Sequence, residues 1–151
     1  LLKSKIEDLA ITTDVIIGFP GETSKDFDDT LKFCERVGFS RIHFFPYSDR
    51  KNTIAYNFKE KVITADINKR MAIAQQLAGI LQKNFITKRI GKQYNLLAEF
   101  DDSKIKGYTE NYIYGYLKNK NINSENIFQK KIIKVKISGF SKTTNSAEFE
   151  I

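Results

Sequence analysis

The sequence has few of the residues that build metal and disulfide sites. Its 151 residues include no tryptophan, two prolines, one cysteine (Cys34) and one histidine (His43). This count excludes a disulfide scaffold, and it excludes a zinc or iron–sulfur site made from the chain's own cysteine and histidine side chains. No apolar run approaches the ~20 residues that a membrane-spanning helix needs, and the single cysteine suits a reducing compartment. We therefore expect a soluble, cytoplasmic chain.

The charge of the chain is positive and unevenly distributed. The net charge is +7, with 13 basic and 11 acidic residues up to residue 85 and 12 basic and 7 acidic residues after it. A basic second half favours a polyanionic partner such as RNA, although a lysine-rich solvated surface gives the same count. The hydrophobic fraction of 41% is enough for one ordinary domain or two small ones. The chain begins with Leu1 in a pattern typical of a helix interior, which favours a piece of a longer protein.

The first half of the chain alternates strand and helix patterns. A β-branched segment (residues 10–17) leads through Gly-Phe-Pro-Gly to a helix that Thr23 or Ser24 caps and Gly38 ends, and a short strand follows at residues 41–45. This order predicts two parallel strands joined by a helix, the unit of α/β barrels and doubly wound sheets. One face of the helix carries its apolar residues, which are Phe27, Leu31, Cys34 and Val37.

A long helix and a set of short strands are predicted after a polar loop at residues 46–61. Thr64 is expected to cap the helix, which runs to about Thr87 with an apolar stripe. Beyond Gly91 the apolar period falls to two. Strands are predicted at residues 94–99, 107–117, 131–137 and 147–151, with a turn at residues 101–104 and an asparagine-rich loop at residues 118–126. The chain is thus predicted to consist of an α/β module (residues 1–87) and a small OB-like antiparallel barrel (residues 88–151).

Two features are candidate binding sites. The Gly-x-x-Gly turn at residues 18–21 joins a buried strand to a capped helix, which is where parallel α/β folds bind ligands, although a turn that needs glycine for its geometry explains it equally well. The side chains of Tyr112, Tyr114 and Tyr116 are expected on one strand face. They would form either a platform for unpaired bases or a cross-strand aromatic cluster, and we favour the platform.

Three further side chains have both a functional and a structural interpretation. Lys134 and Lys136 alternate with apolar residues, which predicts a basic outer face that contacts either phosphates or only solvent. His43 lies in the middle of a predicted strand without a second metal ligand, so we expect a structural histidine.

Two blocks of the first half resemble a known family. TDVIIGFPGET (residues 13–23) and VGFSRIHFFPYSDRKNT (residues 37–53) closely resemble, in sequence and in spacing, the later barrel strands of the radical-SAM methylthiotransferases. The second half looks like the TRAM domain, the small RNA-binding β-barrel of these enzymes. GYTENY (residues 107–112) and HFFPYS (residues 43–48) are most similar to the branch that acts on N6-threonylcarbamoyladenosine beside the tRNA anticodon.

The resemblance implies a fold and an activity. The chain would be the C-terminal portion of such an enzyme, with the last strands and helices of a partial (β/α) TIM-like radical-SAM barrel followed by a TRAM barrel. The full enzyme would add a methylthio group to carbon 2 of the modified adenosine in tRNA. It would use S-adenosylmethionine and 4Fe–4S clusters.

The resemblance also assigns residues. Ile16 would pack against the adenine of S-adenosylmethionine, and Arg50 would lie near the substrate entrance. Asn52 stands where the family usually has glycine, so the loop there is expected to differ in shape. The residues assigned to the cofactor are Ile16, Gly18, Pro20, Gly21, Glu22, Phe45, Tyr47 and Ser48, and those assigned to RNA are Arg50, Tyr112, Tyr114, Tyr116, Lys134 and Lys136.

One departure from the family limits these expectations. The family's Cys-x3-Cys-x2-Cys loop is absent from the 151 residues, so we expect this chain alone to have no catalytic residue, no metal site and no tightly bound cofactor. The alternatives are an enzyme acting on isopentenyladenosine or on a ribosomal-protein aspartate, a stand-alone RNA-binding module, and a small α/β enzyme that uses Asp14 or Glu22. An unpaired strand edge near residues 10–17 would favour self-association.

Overall fold

The computed structural model describes residues 2–101, 104–118 and 131–151, which form two compact units. One unit is Ile11–Gln82, and the other combines Leu1–Ala10 with Lys83–Ile151. The centre of the turn predicted at residues 101–104 and most of the predicted asparagine-rich loop lie outside the described residues. Within these ranges no helix has both the length and the hydropathy needed to cross a bilayer. The functional division predicted between residues 87 and 88 stays a prediction.

The Ile11–Gln82 unit contains the predicted strand–helix–strand motif. Strand β1 (Thr12–Ile17) and strand β2 (Arg41–Pro46) are parallel and joined by helix α1 (Ser24–Val37). A short 3-10 turn (Ile54–Asn57) interrupts the predicted loop, and helix α2 (Thr64–Thr87) follows it. In the part of the chain that is described, β1 and β2 pair only with each other. Self-association through their edges stays a prediction.

The ends of α1 follow from its sequence, whereas the start of α2 differs from the prediction. The Thr23 side chain accepts a hydrogen bond from the Asp26 N–H, and the Asp26 side chain accepts one from the Thr23 N–H, which together form a capping box. Gly38 ends α1 in the left-handed conformation. Thr64 is the first residue of α2 and not its cap, because the carbonyl of Ile63 already accepts the N–H of Ile67 at 3.1 Å.

The predicted apolar stripes of α1 and α2 form the core of this unit. Cys34 is 1% exposed, and burial raises the pKa of its thiol, so it is an unreactive core side chain. The buried members of the two core clusters are Cys34, Phe39, Ile42 and Leu77 in one, and Ile17, Phe27 and Ala74 in the other.

Gly18 lets the turn after β1 approach α2 closely. Its φ is 80°, and a Cβ atom at this position would lie 2.5 Å from Cγ1 of Ile67. A side chain here would therefore be strained in its backbone and would collide with the helix. The geometry of the turn and its contact with Ile67 therefore account for a glycine at position 18.

The second unit is a closed barrel of five strands, in the spatial order β3-β4-β5-β7-β6. A small barrel was predicted, but its description as antiparallel is wrong for one pair, because β5 and β7 run parallel. A closed ring with an odd number of strands cannot alternate direction all the way round. The strands are β3 (Gln93–Asp101), β4 (Lys104–Thr109), β5 (Tyr114–Leu117), β6 (Lys131–Ser141) and β7 (Ser146–Glu150).

The single strand predicted at residues 107–117 is two strands, β4 and β5, joined by a tight turn. Thr109 closes the turn, since its N–H donates to the Ile113 carbonyl and its hydroxyl accepts the Ile113 N–H, each at 3.0 Å. Tyr112 lies within the turn with a φ of 60°. Three polar residues precede Tyr112, but the regular alternation of tyrosines with Ile113, Gly115 and Leu117 already begins at Tyr112 inside the turn, and this concealed the end of β4.

The barrel has its own apolar core, to which the end of α2 contributes Ile86. Ile113 and Leu117 are 2% and 8% exposed, as predicted for the inward side of the tyrosine-bearing segment. The other buried members are Tyr94, Leu96, Ala98, Ile105, Val135, Ile137, Ala147 and Phe149.

Asp8 attaches the first residues of the chain to the barrel unit. Its carboxylate accepts hydrogen bonds from Lys92 Nζ at 2.8 and 2.9 Å and from the Tyr94 hydroxyl at 2.8 Å, and Arg89 lies 3.5 Å away. Although burial raises it, these hydrogen bonds and the charge of Arg89 hold the pKa of Asp8 below its ordinary value. Burial and the nearby Asp8 raise the pKa of Tyr94 to about 12.

Replacement of Gly18 by alanine tests the close approach of the turn to α2. We expect Gly18→Ala to lower the free energy of unfolding by at least about 2 kcal/mol, because it adds backbone strain and a steric clash. Gly79→Ala is the control, since a Cβ there meets no atom within 4 Å and alanine is favoured over glycine inside a helix by about 0.5–1 kcal/mol. Urea unfolding followed by circular dichroism measures both. Equal effects of the two variants would contradict the packing described for Gly18.

Replacement of Asp8 by asparagine tests its attachment to the barrel. The folded state lowers the pKa of Asp8, so its ionised carboxylate stabilises the fold above the unfolded pKa of about 3.9, and this stability is lost as the pH falls through the folded value. We expect Asp8→Asn to lose about 1–2 kcal/mol at pH 7, and the difference from wild type to shrink below pH 4 in urea titrations. Glu7→Gln is the control, because the Glu7 side chain is 92% exposed and solvent screens its 3.8 Å contact with Lys92. A gap that is constant with pH would refute the role of the Asp8 charge.

Candidate functional site

The carboxyl ends of β1 and β2 carry two apolar side chains on the face away from the helices. Ile16 and Phe45 are register partners, and they are 57% and 42% exposed. Their neighbours Val15, Ile17 and Phe44 pack in the core instead, because successive side chains of a strand point to opposite faces. An exposed apolar pair of this kind is suited to one face of a planar aromatic ligand.

The turn after β1 uses its polar groups within the protein. The Gly18 N–H donates to the Glu22 carboxylate, and the Gly21 N–H donates to the Glu60 carbonyl at 2.7 Å. Arg70 of α2 lies 3.5 Å from the same carboxylate and donates to the Glu22 carbonyl at 3.1 Å, and both side chains are 12% exposed. Glu22 therefore stabilises the turn. Because the N–H groups of Gly18 and Gly21 already donate within the protein, a ligand at this end of the sheet would pack against the turn and would not accept hydrogen bonds from these two groups.

The other residues predicted at this end of the sheet differ in exposure. Pro20 is buried, Tyr47 is half-buried and Ser48 is exposed. The Tyr47 N–H donates to the Ile17 carbonyl at 2.7 Å, which extends the β1–β2 pairing beyond the end of β2. The structure therefore brings the predicted cofactor residues to one end of the sheet. Several of them, however, make hydrogen bonds that hold the turn and the strand pairing.

A loop follows β2 and packs back on the turn. The ring centroid of Phe19 lies 5.4 Å from that of Tyr47 and 6.1 Å from that of Phe58. Within the loop, Lys61 Nζ contacts Asp49 Oδ1 at 2.5 Å, and the Tyr47 hydroxyl donates to the same oxygen at 2.9 Å. Hydrogen bonds from Lys61 and Tyr47 hold the pKa of Asp49 below its ordinary value. Arg50, the residue predicted at the substrate entrance, is exposed beside Asp49.

His43 lies on the exposed face of β2, where its ring centroid is 5.1 Å from that of Phe45 in an edge-to-face contact. Over the described ranges, no group of three histidine, cysteine, aspartate or glutamate side chains is placed to hold a metal ion. An iron–sulfur cluster needs several thiolates, and the only cysteine of the sequence is buried in the core. The residues of this chain do not fit such a cluster.

The tyrosine row on the barrel differs from its prediction. Tyr112 is 74% exposed but lies in the β4–β5 turn and not on a strand face. Tyr114 and Tyr116 are on β5 as predicted, with hydroxyl groups 3.3 Å apart. Tyr108 of β4 replaces Tyr112 in the row, since its ring lies 4.9 Å from that of Tyr114. Burial and the hydrogen bond with Tyr116 raise the pKa of Tyr114 to about 12.

Tyr108 belongs to a line of side chains that crosses the outside of four barrel strands. Each member is the register partner of the next, in the order Ile132, Leu97, Tyr108 and Tyr114. Ile132, Leu97 and Tyr108 are 72%, 48% and 41% exposed. We call these four residues the outer row. Sequence reasoning missed three of them, because register between strands far apart in the chain leaves no local signal.

Lys134 and Lys136 lie exposed on β6, as predicted, but their surroundings differ. Lys136 Nζ is 2.9 Å from Glu150 Oε1, so part of its charge is neutralised. Both lysines line a surface cavity of about 280 Å³ together with Gln93 and Glu150. Lys134 is therefore the stronger candidate for a phosphate contact.

Comparisons with known proteins place these features in context. No protein-family model matches the chain. It is 41% identical over 90 residues to a threonylcarbamoyladenosine tRNA methylthiotransferase of Chlamydia pneumoniae, and this match covers 60% of this chain and 21% of the relative. It is 34% identical over 150 residues to a tRNA-2-methylthio-N(6)-dimethylallyladenosine synthase of Aliarcobacter butzleri, which covers 97% of this chain and 33% of the relative.

A third relative carries a name that refers to a protein instead of a tRNA. The chain is 31% identical over 103 residues to a ribosomal protein uS12 methylthiotransferase of Thermotoga petrophila, and the match covers 68% of this chain and 24% of the relative. The chain thus spans a third or less of the length of each of these curated relatives. Because the similarity extends over nearly all of its residues, the chain belongs to the methylthiotransferase family.

Proposed function

We propose that this chain is the C-terminal part of a cytoplasmic radical-SAM enzyme that adds a methylthio group to carbon 2 of N6-threonylcarbamoyladenosine in tRNA. The similarity to tRNA-modifying relatives over nearly the whole chain supports this proposal most strongly. The 41% identity to a relative named for threonylcarbamoyladenosine is over 90 residues and the 34% identity to one named for dimethylallyladenosine is over 150 residues, so identity alone does not separate the two branches. The GYTENY and HFFPYS segments favour the threonylcarbamoyladenosine branch.

Within this proposal the two units have different tasks. Ile16 and Phe45, the exposed apolar pair at the strand ends, would pack against the adenine of S-adenosylmethionine. The ligands of a 4Fe–4S cluster would come from outside these 151 residues, since this chain holds one buried cysteine. The Ile11–Gln82 unit would be the end of a (β/α) barrel. The five-stranded barrel would be a TRAM-type module that binds the tRNA.

The surface of the barrel supports a task in RNA binding. Tyr108, Tyr114 and Tyr116 present aromatic rings on neighbouring strands, and bases stack on such rings without regard to sequence. Lys134 supplies positive charge on the outside of the same barrel. Stacking and charge together are the usual means of holding unpaired nucleotides.

Nucleoside analysis of tRNA tests the enzymatic proposal. We expect deletion of the gene that encodes this chain to remove the 2-methylthio derivative of N6-threonylcarbamoyladenosine and to leave the unmethylthiolated nucleoside in its place. Mass spectrometry of digested tRNA from the source organism measures this, and the isopentenyl series from the same digest is the control. Loss in the isopentenyl series instead, or loss of the modification on the ribosomal protein, would move the chain to that branch. No change in any of the three would leave the stand-alone RNA-binding module.

Charge and stacking variants of the barrel test RNA binding by the chain itself. We expect Lys134→Ala to weaken binding of a tRNA anticodon stem-loop and to lower the slope of log affinity against log salt by about 0.7–0.9, whichever tRNA supplies the loop. We expect Tyr114→Leu to cost about 1–3 kcal/mol of binding free energy with little change in slope. Fluorescence anisotropy over a salt series measures both.

Two further lysine variants calibrate that experiment. Lys136→Ala is expected to have a smaller effect than Lys134→Ala, because Lys136 is paired with Glu150. Lys32→Ala on α1 removes the same charge from a side chain that is 74% exposed, and we expect it to leave the affinity unchanged. Equal losses for Lys134→Ala and Lys32→Ala would show a response to net charge and would remove Lys134 from the interface.

A further inference from the structure

The loop at residues 47–61 is fastened at both ends to the turn that follows β1. At its start, Tyr47 packs edge-to-face on Phe19 of the turn. Near its end, Phe58 packs on the same ring, and the Glu60 carbonyl accepts the Gly21 N–H. The loop therefore begins and ends at one fixed point, and its middle is determined by contacts inside the loop.

Lys61 is the centre of those internal contacts. Its Nζ donates to Asp49 Oδ1 at 2.5 Å and to the Ala55 carbonyl at 2.9 Å. The same ammonium lies 5.3 Å from the ring centroid of Tyr47 and 5.9 Å from that of Tyr56. One side chain thus joins the first, middle and last parts of the loop, and its ammonium group pairs with the Asp49 carboxylate.

The tip of the loop presents two adjacent cations. Arg50 and Lys51 are both exposed. The Thr53 hydroxyl donates to the Arg50 carbonyl at 2.8 Å, and Asn52 adopts a left-handed backbone with a φ of 71°, so the tip is a defined turn. Asp49 directly precedes these cations, and its contact with Lys61 fixes the start of the turn.

We propose that the Lys61–Asp49 pair is a positioning device that fixes the backbone of the loop and so presents Arg50 and Lys51 to the phosphates of an RNA substrate. This inference rests on the proposed function and adds residues to it: Arg50 and Lys51 touch the RNA, whereas Lys61 and Asp49 act through them. A purely electrostatic effect makes the opposite prediction for Asp49. Removing a negative charge beside a phosphate would then tighten binding, whereas releasing the device weakens it.

The sign of the effect of Asp49→Asn is therefore the decisive measurement. With the 151-residue chain and a fluorescent anticodon stem-loop, we expect Asp49→Asn and Lys61→Met each to weaken binding roughly fivefold, a change of about 1 kcal/mol. Lys61→Arg is expected to stay within about twofold of wild type, since it keeps the charge and the donors. Lys59→Met, an exposed lysine of the same loop, is the charge-matched control and is expected to have a smaller effect than Lys61→Met.

Two additional readouts separate positioning from misfolding and from direct contact. In an Arg50→Ala/Lys51→Ala background, Asp49→Asn should have no further effect, because the groups that it positions are absent. Trypsin should cleave after Arg50 and Lys51 faster in Lys61→Met than in wild type, while the circular dichroism melting temperature stays close to wild type. If Lys61→Met melts at a lower temperature than wild type, the comparison uses Asp49→Asn alone, because asparagine keeps the shape of the aspartate side chain.

The outcomes for the inference and for the proposed function can be told apart. Tighter or unchanged binding by Asp49→Asn overturns the positioning role. If Lys134→Ala weakens binding and Arg50→Ala/Lys51→Ala does not, the barrel binds RNA and the loop does not, so the inference fails alone. If the wild-type chain does not bind the stem-loop, RNA binding by this chain and the inference fail together.

Discussion

Helix α2 contributes to two hydrophobic cores, and the rest of the structure depends on its continuity. Its early turns supply Ile67, Ala74 and Leu77 to the core of the Ile11–Gln82 unit, and its last turn supplies Ile86 to the core of the barrel. A helix is held by hydrogen bonds between successive turns. A break in its middle would therefore disturb the placement of the side chains that it contributes to each core. Proline in its interior would do this at a cost of about 3 kcal/mol or more.

The same helix shapes the turn at the carboxyl end of β1. Ile67 fills the space that a side chain at position 18 would need, and Arg70 reaches the carboxylate that receives the Gly18 N–H. The turn is therefore rigid before any ligand arrives. A turn fixed in this way would lower the ordering cost of binding the cofactor proposed for this end of the sheet.

Much of the local structure could be predicted from the sequence, because its signals lie within a few residues of one another. The capping box of Thr23 and Asp26, the left-handed Gly38 and the 3.6-residue stripes of both helices are of this kind. The β4–β5 turn was missed, since the alternation of β5 already begins at Tyr112 within the turn. The outer row depends on register across four strands, and the Lys61–Asp49 contact joins residues twelve positions apart in an irregular loop. Contacts of these two kinds leave no periodic trace in the sequence.

The attachment of Asp8 has a consequence for the order of events during synthesis. Its partners Lys92 and Tyr94 lie 84 and 86 residues further along the chain. At a ribosomal rate of about 5–20 residues per second, Asp8 waits several seconds for the strand that holds it. The Ile11–Gln82 unit lies wholly between Asp8 and β3 in the sequence, so it can form its core while Asp8 still has no partner. The entropy of closing this long loop is therefore lost only after β3 has been made.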